Sequence, residues 1–157
     1  MIAIATILVF FIFRPFLNKP NSYLHTFLKP ENATEKSVII AGNKIIIETA
    51  QTPKEKEQGL SGREYIPEDH GMLFIISPKS RSPFWMVDMK FPLDIIWISD
   101  NKIVQIDENA APPKPGQKEN ELPLYKPPEP VDFVLEVNGG FTYKHKIMVG
   151  DTVEVKI

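Results

Sequence analysis

From Leu93 to Ile98 the chain reads Leu-Asp-Ile-Ile-Trp-Ile, a run that leaves little freedom in how it can be housed. In an extended strand Leu93, Ile95 and Trp97 point one way, and Asp94, Ile96 and Ile98 point the other. Both sides then require burial. Met72 to Ile76 behaves in the same way. Ile103 to Asp107 instead sets Ile103, Gln105 and Asp107 against Val104 and Ile106, which suits a strand with one wetter face. A closed or nearly closed mixed sheet with a helix packed on one end accommodates both kinds of strand and leaves few exposed edges.

Local signals divide the rest of the chain. Val38–Ala41 and Lys44–Thr49 flank Gly42-Asn43, read as a two-residue hairpin turn. Thr52-Pro53-Lys54-Glu55 has the form of a capping box with proline at the first helical position. Gly59 can stop that helix, so about two turns are expected. Strand-like runs follow at Met72–Ser77, Pro83–Val87, Leu93–Ile98, Ile103–Asp107 and Phe133–Val137, with Ser99-Asp100-Asn101-Lys102 turning between the third and fourth. Seven of the nineteen residues from Pro112 to Pro130 are proline, which marks an extended surface loop unable to donate its share of ladder hydrogen bonds. Gly139-Gly140 opens a turn or short helix through His145, and Val149-Gly150-Asp151 leads to a closing strand at Thr152–Val155. The expected fold is mainly β, a β-rich α+β class: a small mixed barrel-like domain of about eight short strands with one or two short helices.

A membrane helix is expected to precede this domain. Of the residues Met1 to Phe13 all but Thr6 are apolar, before Arg14-Pro15 interrupts the run ahead of Phe16 and Leu17. As a helix those thirteen residues reach roughly 20 Å, so spanning a core of about 30 Å requires Phe16 and Leu17 with Arg14 snorkelling. The run is an anchor or a signal-peptide core. The lack of a basic stretch before it, and Ala3-Ile4-Ala5 lying inside it, favour an uncleaved anchor. Arg14, Lys19 and Lys29 follow the run and, by the positive-inside rule, pull against an extracytoplasmic placement of what comes next. The division expected is 1–17 anchor or signal peptide, 18–36 linker and 37–157 folded domain, with 112–130 as its Pro-rich loop.

Charge and composition exclude several classes. Met1 to Lys36 carries four basic and two acidic residues (+2), Ser37 to Ile157 fourteen and eighteen (−4). A domain of that sign lacks the phosphate-neutralising surface of a nucleic-acid binder. The absence of cysteine removes disulfides, thiolate zinc sites and cysteine nucleophiles. Glu68-Asp69-His70 are consecutive on a turn and do not converge as metal ligands would. Ser61 and Ser82 lie in no Gly-x-Ser-x-Gly elbow. Asp107-Glu108 would face opposite sides of a strand. No cofactor, no metal and no enzyme activity are therefore expected, a hydrolase remaining the weaker alternative.

A succession of short motifs carries a resemblance. Gln58-Gly59-Leu60-Ser61-Gly62-Arg63, Gly71-Met72-Leu73-Phe74, Phe84-Trp85-Met86, Pro92-Leu93-Asp94-Ile95, Glu108-Asn109-Ala110, Tyr125 with Val134-Leu135-Glu136-Val137, and Val149-Gly150-Asp151 follow in order over Val38 to Val155. Together they resemble the domain of unknown function 192 family. The resemblance implies a small β-rich domain, commonly behind an export signal or anchor in bacteria, with no established activity. The chain departs from the family pattern at Ser61, where Met is common, and at Val87-Asp88-Met89, where Lys-Asn-Thr is common. It also has a longer Pro-rich loop. The second departure alters charge and hydrogen bonding beside Trp85.

Two residues stand out chemically. Arg63 follows a helix stop whose glycines let the backbone turn sharply and aim the guanidinium at the domain. Asp94 sits among apolar neighbours and needs a cation or several N–H donors to stay ionised. The leading reading is a non-catalytic binding or accessory module of the cell envelope. In it, Arg63 and Asp94, with Trp85 and Asp88 nearby, line a pocket for a small anionic or sugar-like ligand, arginine gripping the anion and tryptophan stacking on a flat face. The plainer alternative is an internal Arg63–Asp94 pair, or separate backbone capping by each. A third reading docks a protein partner on Leu124-Tyr125-Lys126-Pro127-Pro128-Glu129-Pro130, against which stands a stiff loop packing Tyr125 back on the sheet. The expected partners are a membrane, through Met1 to Leu17, and that ligand or protein, with the domain displayed outside the cytoplasm.

Overall fold

A computed structural model describes residues 35–157. The expected anchor at Met1–Leu17 and nearly all of the linker lie outside the described residues. Among the described residues no helix is long and apolar enough to cross a membrane.

Ala41 (φ 48°) and Gly42 (φ 79°) turn the chain between β1 (Ser37–Ile40) and β2 (Asn43–Ala50). Two successive left-handed residues give the hairpin turn whose twist matches its strands. The turn thus starts one residue earlier than Gly42-Asn43. Asn43 pairs with Ile40, and its amide donates to the Ile40 and Ala41 carbonyls, both at 3.2 Å, which holds Ala41 in place.

Helix α1 (Pro53–Gln58) forms as its capping box demands: the Glu55 N–H donates to Thr52 Oγ1 (3.2 Å), and the Glu55 carboxylate accepts from Thr52 N and Gln51 N, each at 2.9 Å. Those bonds hold the Glu55 carboxyl below its usual range, the backbone N–H of Thr52 foremost. Gly59, at φ 47°, ends the helix. This helix is the crossover that lets β3 (His70–Ser80) run parallel to β2, with Ile46 opposite His70 and Ala50 opposite Phe74.

The remaining elements are β4 (Leu93–Ser99), β5 (Lys102–Ala110), β6 (Val131–Asn138), α2 (Phe141–His145) and β7 (Val153–Lys156). Asp100 and Asn101, both left-handed, make the expected turn between β4 and β5. One seven-stranded sheet results, in the order β5-β4-β6-β3-β2-β1-β7. It curls into a half-barrel, and its outer strands meet at one corner. There Ile103 N donates to Asp151 O (3.0 Å), Gly150 N to Ile103 O (2.8 Å) and Val153 N to Asn101 O (2.9 Å).

Seven strands rather than about eight form because Pro83–Val87 does not join the sheet. Pro83 has no N–H to donate and Asp88 (φ 54°) turns the chain away, so the segment keeps only a bridge between Phe84 and Tyr125. That bridge, with both N–H···O bonds at 2.9 Å, ties the Pro-rich loop down. The Tyr125 ring packs against the core, and Arg81 Nε donates to Pro127 O (3.1 Å).

Strand β4 is buried along its whole length, as its two apolar faces require. Ile96 and Ile98 join Ile45, Leu73, Leu135 and Phe141 in one cluster. Leu93, Ile95 and Trp97 join Leu60, Met72, Phe74, Met86 and Val134 in a second, on the other side of the sheet. The second side is the one that matters for function.

Candidate functional site

Glu136 occupies the middle of β6, between Leu135 and Val137, and faces the second cluster. It lies opposite Met72 of β3 and Ile95 of β4, both members of that cluster. Residues directly opposite in an antiparallel pair share a face, so this carboxyl is inserted into an otherwise apolar layer. The residue is 5% exposed; among the described residues no side chain or backbone group hydrogen-bonds to the carboxyl, whose oxygens are not sealed off from solvent. Removal from water is the cause that pushes Glu136 up to about 8. At neutral pH most of the population therefore carries the proton, and the group can donate as well as accept.

A cleft of about 580 Å³ opens onto this carboxyl. One wall is the end of α1 and the turn after it, from Lys56 to Ser61. A second is the middle of β3, with Phe74, Ile76 and Ser77, and a third is the segment carrying Ser82, Phe84, Trp85 and Met89. The aromatic wall is rigid. Phe84 meets Phe74 edge-on at 4.9 Å between centroids and Trp97 at 5.3 Å. Trp97 is anchored in turn by donating Nε1–H to Asp107 Oδ2 at 2.6 Å. Trp85, by contrast, is 48% exposed at the cleft, an aromatic surface left open to a ligand. Ser61 Oγ donates to Val87 O (2.8 Å) and Gly62 N to Asp88 O (2.9 Å), which fastens the α1 wall to the Trp85 segment.

The four residues expected to line one pocket do not converge. Trp85 lines the cleft over Glu136. Asp88 is exposed and lines a smaller neighbouring cleft of about 420 Å³, with Gln58, Gly62 and Lys90. Arg63 makes a two-pronged contact with Glu48 of β2, Nη1 to Oε1 at 2.5 Å and Nη2 to Oε2 at 2.8 Å. That bond with Arg63 holds the Glu48 carboxyl below its usual range.

Asp94 is fully buried on the opposite side of the sheet, opposite Val137. Its Oδ1 accepts from Asn109 N (2.8 Å) and Gly140 N (3.0 Å), and its Oδ2 accepts from Thr142 N (2.9 Å) and Thr142 Oγ1 (2.6 Å). The requirement for N–H donors is met from the backbone. Asp94 caps the start of α2 and pins the left-handed Asn109. No Arg63–Asp94 pair forms; separate capping and pairing is what each residue does.

Glu136 is the site residue that sequence reasoning passed over. It was visible only as one member of Val134-Leu135-Glu136-Val137, yet alternation puts it on the same apolar face as Val134. A charged residue on a strand face that otherwise wants burial is a signal in itself.

What the arrangement offers a ligand is a carboxyl at the floor and an aromatic wall beside it. Ser61 Oγ is committed to a backbone carbonyl, and the Ser80 and Ser82 hydroxyls bond each other at 2.7 Å. Among the described residues no group of three or more His, Cys, Asp or Glu side chains is placed to hold a metal ion. His70 Nδ1 lies 2.7 Å from Asp69 Oδ1, Glu68 pairs with Lys144, and His145 Nδ1 lies 2.8 Å from Asn43 Oδ1.

Comparison with known proteins agrees with this fold. The family model DUF192, described as "Uncharacterized ACR", matches residues 36–155. A crystal structure of a candidate transcription regulator from Sinorhizobium meliloti 1021 is similar, with a TM-score of 0.69 and 32% identity, covering 78% of this chain and 94% of that one. A protein of unknown function from Novosphingobium aromaticivorans DSM 12444 is similar at a TM-score of 0.68 and 30% identity, covering 80% of this chain and 89% of that one. No curated protein matches.

Proposed function

The chain belongs to the DUF192 family, whose description names no activity, and we propose from the cleft itself that this domain is a non-catalytic module binding a small molecule over Glu136. The observation that carries the reading is the Glu136 carboxyl, all but enclosed by apolar neighbours, forming no hydrogen bond within the described residues and reachable from the floor of an aromatic cleft. A ligand seated there can bond this carboxyl away from bulk water, where such a bond is stronger, and the cleft's volume falls in the range of small-molecule sites, about 300–1,000 Å³. This moves the expected pocket from Arg63 and Asp94 to Glu136, Phe84 and Trp85.

Thermal unfolding of the protein against a panel of small aromatic and heterocyclic compounds tests this reading. A ligand of the native state raises the midpoint by mass action. The expected result is a shift in the parent that shrinks in Trp85→Ala and Glu136→Gln. Hits that shift both variants as much as the parent overturn it.

The transcription-regulator description of the Sinorhizobium protein is not carried over, because the net charge of −4 over Ser37–Ile157 opposes a phosphate backbone. The apolar run Met1–Phe13 supports holding this module at a membrane, and the family resemblance supports its display outside the cytoplasm, against the pull of Arg14, Lys19 and Lys29. Fractionation of cells making the full chain, followed by protease treatment of intact cells, tests both halves of that placement. Recovery in the soluble cytosol sinks it.

A further inference from the structure

The chemistry at the bottom of the cleft restricts what its ligand can present. An anion would need donors or a cation aimed at it, and the floor offers a carboxyl instead. The charged groups at the cleft are few. Lys56 and Glu57 of α1 stand on one wall with opposite signs, while β3 brings Met72 and Phe74 towards Glu136, β4 brings Ile95, and the third wall brings Phe84, Trp85 and Met89. None of these last can neutralise an ionised Glu136. A positive charge on the ligand can, and aromatic faces attract cations too, most strongly that of tryptophan. The negative domain as a whole draws cations towards it.

We infer that the small molecule seated over Glu136 is a cationic amine with an apolar or aromatic body, its ammonium paired with the Glu136 carboxylate and its body against Phe84 and Trp85. This rests on the cleft reading above and names the ligand's class. The proton balance is explicit: the ammonium enters charged, Glu136 gives its proton to solvent, and below about pH 8 one proton leaves per ligand bound. Because burial holds Glu136 protonated up to about pH 8, amine affinity rises with pH below that point and levels off above it. A neutral ligand accepting a hydrogen bond from the protonated carboxyl would behave in the opposite way, with affinity constant below that point and lost above it.

The test is calorimetric titration of the full chain with tryptamine and, beside it, tryptophol, which replaces the amine by a hydroxyl on the same indole body. Phenethylamine and hexylamine, each with its alcohol, extend the set, and titrations run at pH 6, 7, 8 and 9. The expected result is an amine affinity that rises about tenfold from pH 6 to 7 and flattens above 8. About one proton should be released per amine at pH 6 and 7 and almost none at pH 9, seen as a dependence of the heat on the buffer's ionisation enthalpy, and the alcohols should bind at least about tenfold more weakly at pH 8. Glu136→Gln should remove both the amine preference and the pH slope, while Trp85→Ala should weaken amine and alcohol together. Alcohols that bind as well as their amines overturn the inference and leave the cleft reading standing. Amine binding that survives unchanged in Glu136→Gln overturns it as well. No binding by any member of the set overturns the inference and the cleft reading together.

Discussion

Asp94 and Glu136 stand one register step apart on neighbouring strands, Asp94 opposite Val137 and Glu136 opposite Ile95, so the two buried carboxyls face opposite sides of one sheet. Four donors meet Asp94, and among the described residues none meets the Glu136 carboxyl. The same functional group is thus structural on one side and available to a ligand on the other.

Glu136 makes stability fall as pH rises. Its folded value of about 8 lies above the ordinary 4.5, so the folded chain keeps a proton that the unfolded chain has already released. Its contribution is complete below about pH 4.5, is lost progressively as pH rises to about 8, and is constant above, with a limiting slope of about 1.4 kcal/mol per pH unit. Urea unfolding at pH 5, 6.5 and 8 should show the parent losing stability relative to Glu136→Gln across that window. A constant difference between the two would show that Glu136 does not titrate there.

Asp94→Asn replaces an acceptor of four hydrogen bonds by a group whose NH₂ must face N–H donors. The start of α2 and the Asn109 turn lose their anchor together. A loss of about 2–4 kcal/mol is expected in denaturant unfolding, with no effect on a ligand bound over Glu136 beyond what lost stability explains. A change within about 0.5 kcal/mol would mean that backbone and water replace Asp94 without cost.

Arg63→Ala should do little. The pair with Glu48 is partly solvated, with side-chain exposures of 35% and 59%, and such pairs contribute about 1 kcal/mol or less. Ligand binding in the cleft should be unchanged. A variant that folds yet loses binding would restore Arg63 as an anion grip.

Gly71→Ala probes the floor of the cleft from below. A Cβ there would sit 2.6 Å from Glu136 O, 3.1 Å from Val137 Cγ1 and 3.2 Å from Leu135 Cδ1. The β6 backbone at Glu136 would have to move, so a loss of about 1–3 kcal/mol is expected, together with weaker binding over Glu136. A variant as stable as the parent would show that β6 shifts freely.

What was legible in the sequence is what short-range rules govern. Thr52 and Glu55 lie three residues apart, and their mutual capping depends on nothing distant. Asp100 and Asn101 tolerate the left-handed conformation their turn requires. The two apolar faces of Leu93–Ile98 demanded burial on both sides, whatever covered them. Ala41 was missed as a turn residue because its left-handed backbone is held by the Asn43 amide, a tertiary detail that propensity does not contain. Arg63 and Asp94 were grouped by complementary charge alone. Which side of a sheet each reaches is decided by register, and local sequence does not state register. Glu136 needed the same information, since its meaning comes from Met72 and Ile95 opposite it and from the absence of a donor between them.

The pairing of β1 with β7 sets Ser37 opposite Lys156. During synthesis the first strand of the domain is made long before the neighbour that covers its outer edge, and contacts of such wide sequence separation form late. Until β7 leaves the ribosome, Val38 and Ile40 stand at a bare strand edge open to pairing with other nascent chains. A translation product broken off before Val153 keeps that bare edge for good. Growing cells that make this protein are therefore expected to shield the unfinished chain or to degrade it, and the domain's quality control falls on its last four-residue strand.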